Sequence, residues 1–274
     1  GEKGNVRDGE VPFAVDTIPA NHIQPNNVEI MVNIGNPDIA FRTSMLPVAG
    51  VGLARIEFII ADAIGAHPMA LLFPDKVKSQ KVRQQLSTMT RGFRDGAEFY
   101  TSRLAEGIGV IAAAFYPRPV IVRTSDFKSN EYASLLGGAD FETAENNPML
   151  GFRGASRYTH PAFRPAFELE CAAIKRVRAD MGLTNLVVMI PFCRSLNEAN
   201  EVLDIMARCG LNRGENGLQV YVMCEIPSNV ILAGEFSGYT GDPEYQSIAD
   251  QATKTCQRVD PKYTERFLEE AKNR

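Results

Sequence analysis

No apolar run in this chain approaches the roughly 18 residues that a helix needs to span a bilayer, so no helical membrane span is expected. A basic excess is also missing: 29 Lys and Arg stand against 33 Asp and Glu, a formal charge of -4. Neither a nucleic-acid footprint nor a basic membrane surface is therefore expected. The five cysteines, Cys171, Cys193, Cys209, Cys224 and Cys256, are odd in number and form no C-x-x-C. That argues against a disulfide framework or a structural zinc site and for a reducing, cytoplasmic compartment. His22, His67 and His160 lie far apart, whereas histidine metal sites use closely spaced pairs. The opening "GEKGNVRDGE" is polar and lacks the apolar segment of a signal peptide. It reads as a linker or the end of a preceding domain.

What is present is ordinary globular composition, 45% apolar and 23% charged, in a chain of 274 residues, long enough to bury a sizeable core. Short apolar runs alternate with helical patterns. Strands are expected at 29–35, 50–60, 120–126, 186–192 and 218–226, with a short one at 151–158. Asn36-Pro37 supplies a helix N-cap and first-turn proline. A helix is expected from about Ala97 to Phe115. Phe167, Cys171, Ile174, Val177 and Met181 recur at helical spacing. Ser195 with Glu198 forms a capping box for a helix running to Cys209. Alternation of strand and helix argues for βαβ units and a parallel sheet, either a barrel or an open doubly wound sheet. After Glu235 the rhythm breaks: "SGYTGDPEYQS" reads as a linker, and Asp242-Pro243 and Asp260-Pro261 open tail helices. A (β/α)₈ barrel takes about 30 residues per unit, and the segment after Ile226 holds no strand-like run for two more. The expected fold is an incomplete barrel of about six units with a helical tail.

Charged residues stand at the expected C-terminal strand ends, where parallel α/β sheets form their sites. They are Arg55, Arg123, Asp126, Arg153 and Glu225. Three guanidiniums at one mouth repel each other unless an anion joins them, and Arg matches carboxylate and phosphate oxygens with two-pronged hydrogen bonds. Glu225 on the same rim suggests a hard cation, Mg²⁺ or Mn²⁺. The alternative is that these side chains only meet solvent or pair with each other.

The segments "GVGLARIEFI", "VIVRTSDFKSNEY", "NPMLGFRGASRY", "VMIPFCR" and "RGENGLQVYVMCEIPSNVILA" resemble the C-terminal phosphoenolpyruvate/pyruvate-binding domain of the PEP-utilising enzymes, in their phosphoenolpyruvate synthase (pyruvate, water dikinase) branch. Pyruvate phosphate dikinase and enzyme I of the sugar phosphotransferase system are more distant relatives. The resemblance implies a TIM-type (β/α) barrel that binds pyruvate and phosphoenolpyruvate with Mg²⁺. In it, phosphate passes from ATP to a histidine on a swivelling domain and then to enolpyruvate. It divides the chain into the end of a phosphohistidine domain at 1–15, the barrel domain at 16–235 and a divergent tail at 236–274. By motif position, Arg55 and Arg123 are expected on the phosphoryl group, Arg153 assisting, Asp126 and Lys128 beside the substrate, and Glu225 on the metal.

Two departures stand out. The family's next motif, "GSNDLTQ", has no counterpart, since no Asn-Asp pair occurs. The family's acid cysteine has no matching strand; Cys224 is expected to face the helices and Cys256 falls in a helical pattern. The chain alone is thus expected to bind phosphoenolpyruvate without making it from pyruvate and ATP, and to associate with itself unless its tail covers the open edge. A non-catalytic scaffold and a lyase acting on a 2-oxo acid are the competing readings; the lyase lacks an evident general base.

Overall fold

The structure, a computed structural model, describes residues 29–240 together with Asp8, Gly9 and Ala14. Five strands, β1 (Met31–Ile34), β2 (Gly50–Arg55), β3 (Val120–Arg123), β4 (Leu186–Ile190) and β5 (Val220–Val222), form one sheet. Their spatial order is their chain order, and every neighbouring pair is parallel. A doubly wound sheet reverses its strand order at a switch point, and the described strands do not.

Helix α1 (Ala40–Ser44) follows β1, and Asn36 caps the turn before it by accepting from Asp38 N at 2.8 Å. After β2 come α2 (Ile56–Ile59), continued by a π-helical segment Ile60–Ile64, then α3 (Pro68–Leu72), α4 (Gln80–Met89) and α5 (Gly96–Phe115). After β3 come α6 (Ser129–Ser134), α7 (Ala155–Thr159) and α8 (Arg164–Lys175). Helix α9 (Leu196–Arg208) joins β4 to β5, and α10 (Pro227–Ile231) and α11 (Ala233–Thr240) follow β5.

The long helices start where the sequence expects. Asp95 accepts from Glu98 N at 2.8 Å, and the Glu98 carboxylate reaches back to Arg94 N at 2.6 Å. Ser195 and Glu198 repeat this arrangement before α9. Each cap satisfies amide donors that a helix start otherwise leaves open. Leu104, Ile108, Ile111 and Phe115 form the buried face of α5, and each such side chain contributes about 1.5–3 kcal/mol by leaving water.

Several expectations need correction. The described sheet has five strands, not six. Residues 151–158 are not a strand: Gly154 has φ 61°, and the chain turns there into α7. Ala155, Arg157 and Tyr158 are buried at helical spacing, which a half-buried strand could not provide. The run 50–60 is strand only to Arg55. Ile56, Ile59, Ile60 and Ile64 then bury at helical intervals while Phe58 is exposed; an apolar run alone does not separate these two cases. Residues 237–240 belong to α11 rather than to a linker. The expected tail helices beyond residue 240 lie outside the described residues.

Alternation along the strands divides the sheet. Val120, Val122, Leu186, Val188, Ile190, Val220 and Val222 join the helix-covered core. Ile121, Arg123, Met189 and Tyr221 occupy the opposite face and are only half-buried. That face leads to the C-terminal rim. No helix among the described residues is long and apolar enough to cross a membrane.

Close packing of β2 against the start of β3 depends on Gly50. A Cβ there would stand 2.4 Å from the Pro119 carbonyl oxygen. Gly50→Ala is expected to cost about 1–3 kcal/mol by overpacking, read as a lowered urea midpoint; an unchanged midpoint would show that the strands can slide apart freely.

Candidate functional site

The rim begins with two arginines in register. Arg55 ends β2, Arg123 ends β3, and the sheet pairs them directly, which sets neighbouring parallel strands about 4.8 Å apart. Arg55 is exposed and makes no hydrogen bond or ion pair with the described residues. Arg123 is held tightly. One terminal nitrogen donates to Glu57 Oε1 at 2.7 Å, and the other stands 3.2 Å from Asp126 Oδ2 and 3.7 Å from the Met223 sulfur. Glu57 Oε1 also accepts from the Asp126 backbone N at 2.7 Å, so one oxygen aligns both the arginine and the loop after β3.

Asp126 carries the third arginine. Arg153 donates Nε to Oδ1 at 2.9 Å and Nη2 to Oδ2 at 2.8 Å, the planar two-pronged pair of a guanidinium and a carboxylate. The guanidiniums therefore do not wait for an external anion, as the sequence suggested; Glu57 and Asp126 lie among them. Arg153 stands in the turn before α7, not in a strand. Its guanidinium also lies 4.5 Å from the Phe192 ring centroid, and that of Arg194 lies 4.6 Å from the same ring. Gly154 lets this turn approach β4, because a Cβ there would be 2.5 Å from the Pro191 carbonyl oxygen.

Glu225 is exposed just beyond β5, and its Oε1 accepts from the Phe192 backbone N at 2.8 Å. Phe192 has φ 49°, a strained value for an aromatic residue, which this contact helps to hold. Asn229 secures the same loop by donating to the Cys193 carbonyl oxygen at 2.8 Å. The proline at 227 starts α10, so Glu225 is fixed between a strand end and a helix start. Lys128 pairs with Glu131 at 3.2 Å rather than with the arginine cluster. Cys224 is exposed beyond the end of β5, where strand alternation no longer applies, and Cys256 lies outside the described residues.

Electrostatics follow from this packing. Burial pushes the Glu57 carboxyl up, against the pull of Arg123. Burial would lower the Arg123 pKa, but Glu57 and Asp126 outweigh it and raise it. The hydrogen bonds to Asp126 raise that of Arg153. Two buried atoms of the cluster, Glu57 Oε2 and Arg123 Nε, have no hydrogen-bond partner among the described residues.

A further polar layer supports the rim, and the sequence reading missed it. Arg157, fully buried, makes a two-pronged pair with Glu142 and donates to the Phe152 carbonyl oxygen and to Ser129. Tyr132, Phe152 and Phe163 surround its guanidinium. His67 is fully buried, accepts from Met69 N and meets Glu142 at 3.1 Å, so both ring nitrogens are engaged inside the fold; burial lowers its pKa. The "RIE" that runs from the end of β2 into α2 and the "GASRY" after Arg153 contain Glu57 and Arg157, but periodicity does not mark a buried charge.

The sheet and rim define a sequentially wound parallel α/β domain with a cationic, carboxylate-braced site at the strand C-termini. The chain belongs to the family described as PEP-utilising enzyme, PEP-binding domain, whose model matches residues 13–241. It is 51% identical over 238 residues to the phosphoenolpyruvate synthase of Synechocystis sp., covering 86% of this chain and 29% of that protein. It is 52% identical over 239 residues to that of Escherichia coli, covering 87% and 30%. A protein named probable phosphoenolpyruvate synthase from Staphylothermus marinus is 46% identical over 211 residues, covering 77% and 23%. The chain thus spans about three tenths of the length of the Synechocystis and Escherichia coli relatives.

Removing Asp126 tests the brace directly. Asp126→Ala leaves Arg123 and Arg153 facing each other, and is expected to destabilise the fold by about 3 kcal/mol in urea unfolding. A loss below about 0.5 kcal/mol, the scale of ordinary surface changes, would show that solvent replaces the carboxylate.

Proposed function

We propose that this chain is the phosphoenolpyruvate- and pyruvate-handling part of a phosphoenolpyruvate synthase-type phosphotransferase. In this reading the full enzyme converts ATP, pyruvate and water to phosphoenolpyruvate, AMP and phosphate through a phosphohistidine. The five strands are consecutive staves of a TIM-type barrel spanning 16–235, preceded by the end of the phosphohistidine domain at 1–15 and followed by a divergent tail at 236–274. The observation that carries the proposal is the pairing of Arg55, open to solvent, with Arg123, braced by carboxylates, at adjacent strand ends.

Each residue has a distinct task. Arg55 offers an unpaired guanidinium to the phosphoryl oxygens. Arg123 and Arg153 are aligned in advance, so they stabilise charge on the phosphoryl group and on the enolate without reorganising. Asp126 keeps them aligned, and Lys128 adds positive charge at the edge. Glu225 is the carboxylate suited to Mg²⁺, or Mn²⁺: it is exposed and only one of its oxygens is engaged within the described residues. No group of three His, Cys, Asp or Glu suited to a metal occurs among the described residues, so the cation would draw its other oxygen ligands from substrate and water. When bound, it would supply charge neutralisation at the substrate oxygens.

The partner domains in this reading carry ATP and the phosphohistidine, and the setting is cytoplasmic; the four described cysteines are free thiols, as a reducing compartment favours. A non-catalytic scaffold draws support only from the missing Asn-Asp motif.

Calorimetric titration with phosphoenolpyruvate tests the site. The wild-type chain is expected to bind, more tightly with Mg²⁺. Arg55→Ala and Arg123→Ala are each expected to lose about 10–100-fold, as for a charge-assisted contact worth 1.5–3 kcal/mol. Glu225→Gln should abolish only the Mg²⁺ effect. Equal binding by all four proteins would favour the scaffold. The chain alone is expected to form no phosphoenolpyruvate from pyruvate and ATP, and turnover by it would overturn that.

Self-association is part of the same proposal. Ile39, Phe41, Met45, Leu46 and Phe58 are exposed on or near α1 and α2, an apolar area of the kind that marks interfaces. Sedimentation is expected to give a dimer for the wild type and a monomer for Phe41→Glu; a wild-type monomer would contradict this assignment.

A further inference from the structure

Beneath the rim lies a carboxyl group that the proposed chemistry does not use. Glu170, on α8, has no solvent exposure and no cationic hydrogen-bond partner. Both of its oxygens are given to one residue, Ser125: Oε2 accepts from the backbone N at 3.1 Å, and Oε1 accepts from the hydroxyl. Ser125 precedes Asp126, the residue that braces Arg123 and Arg153. The Ser125 hydroxyl also meets Tyr132 OH at 2.7 Å, and Tyr158 OH donates to the Ser125 carbonyl oxygen. All three polar groups of Ser125 are thus tied down from below by α6, α7 and α8.

A glutamine would satisfy Ser125 without burying a charge, so the choice of a carboxyl has a chemical consequence. As a carboxylate it accepts from both Ser125 groups. As an acid it still accepts from the Ser125 N–H and donates its own proton to the Ser125 oxygen, which then donates to Tyr132 OH. In the acid state the Tyr132 hydroxyl gives up its Ser125 acceptor, so the two states differ by that one hydrogen bond and by one negative charge under the rim. Burial raises this carboxyl to about 7.

The groups around it are Tyr100 from α5, Tyr132 from α6, Tyr158 from α7 and Glu57 from α2, with Cys171 beside it on its own helix and Cys209, after α9, against Cys171. The tyrosines are pushed well above their usual range by burial, and both cysteines are described as free thiols, so Glu57 is the neighbour whose charge most directly opposes that of Glu170. Helix α3 brings no titratable side chain of its own.

We propose that Glu170 is a positioning residue for the rim: through Ser125 it fixes the peptide that carries Asp126, and its charge state sets how tightly the rim holds an anion. This rests on the reading of the rim as a phosphoenolpyruvate site. The sign follows from linkage. A buried carboxyl whose pKa is raised on folding adds no penalty below its unfolded value. The penalty grows as pH rises from there and is complete above the folded value. The same charge repels an anionic ligand, so stability falls as pH rises toward the folded value, and affinity falls as Glu170 ionises in the folded protein.

Wild type, Glu170→Gln and Glu170→Ala separate these effects. Phosphoenolpyruvate affinity is measured with Mg²⁺ at about pH 6 and about pH 8; ionisation of the ligand is common to all proteins and cancels between them. The wild-type affinity is expected to fall at least about threefold more than that of Glu170→Gln over this interval. The urea midpoint without ligand is expected to fall more for wild type than for Glu170→Gln over the same interval. Parallel pH profiles in both measurements would overturn the proposal. If the wild type binds no phosphoenolpyruvate at either pH, the reading of the rim fails, and the positioning role is decided by hydrogen exchange at the Ser125 and Asp126 amides. Protection lost in Glu170→Ala and kept in Glu170→Gln supports it; protection unchanged in Glu170→Ala overturns it. If Glu170→Ala does not fold, protection in Glu170→Gln matching wild type supports it and protection lost there overturns it.

Discussion

Two guanidiniums cannot stand close on a half-buried rim unless a carboxylate lies between them, and here Asp126 is shared by Arg123 and Arg153. Its two oxygens meet the two forward nitrogens of Arg153, and one of them also faces Arg123. In a partly dehydrated setting this attraction is far stronger than in water, and it fixes two side chains that would otherwise rotate freely. Glu57 completes the arrangement, because the oxygen that holds Arg123 also holds the Asp126 amide. Loop and arginine are thus positioned by one contact and cannot shift independently.

Below this layer the polar groups continue inward, and almost every one has a partner. Ser125 rests on Glu170, Tyr132 and Tyr158; Arg157 closes on Glu142 and the Phe152 carbonyl oxygen. Such groups are costly to bury unless satisfied. Satisfied, they admit one arrangement of the loops after β3 and before α7. The apolar core could tolerate many packings of similar volume, but this network could not. The accuracy of the rim therefore comes from the polar layer and not from the valines and isoleucines of the strands.

The rim also divides its cations by exposure. Arg123 and Arg153 are braced, while Arg55 stands beside Arg123 in register and has no partner among the described residues. Braced groups keep their orientation, whereas the open one is free to turn toward solvent. Across the sheet, the loops after β4 and β5 are tied through Phe192, Glu225 and Asn229, which holds the Glu225 carboxylate near the arginines.

Much of the architecture was legible in the sequence, because its cues are local. Ser195 and Glu198 announce a helix start by spacing alone, and the run at 186–192 reads as a buried parallel strand from its composition. Arg55, Arg123 and Glu225 stand out in the sequence because charge at the end of an apolar run is conspicuous, and they do lie at or just beyond strand ends. The run 50–60 was read as strand throughout, since Ile, Glu and Phe fit either period; only packing against α5 decided that Ile56 begins a helix. The turn at Gly154 has no local signature for a related reason: the lack of a side chain there is required by the approach of Pro191, a residue distant in the chain. Glu57, Glu170, Arg157 and Glu142 carried no local signal. A buried charge has no period of its own, and its place is decided by partners brought together from β3, α6, α7 and α8. The sequence alone determined the parallel α/β winding and which cations end its strands; the tertiary structure decided which of them are braced and which is open, because a carboxylate's role depends on the neighbour it meets and not on its position in the chain.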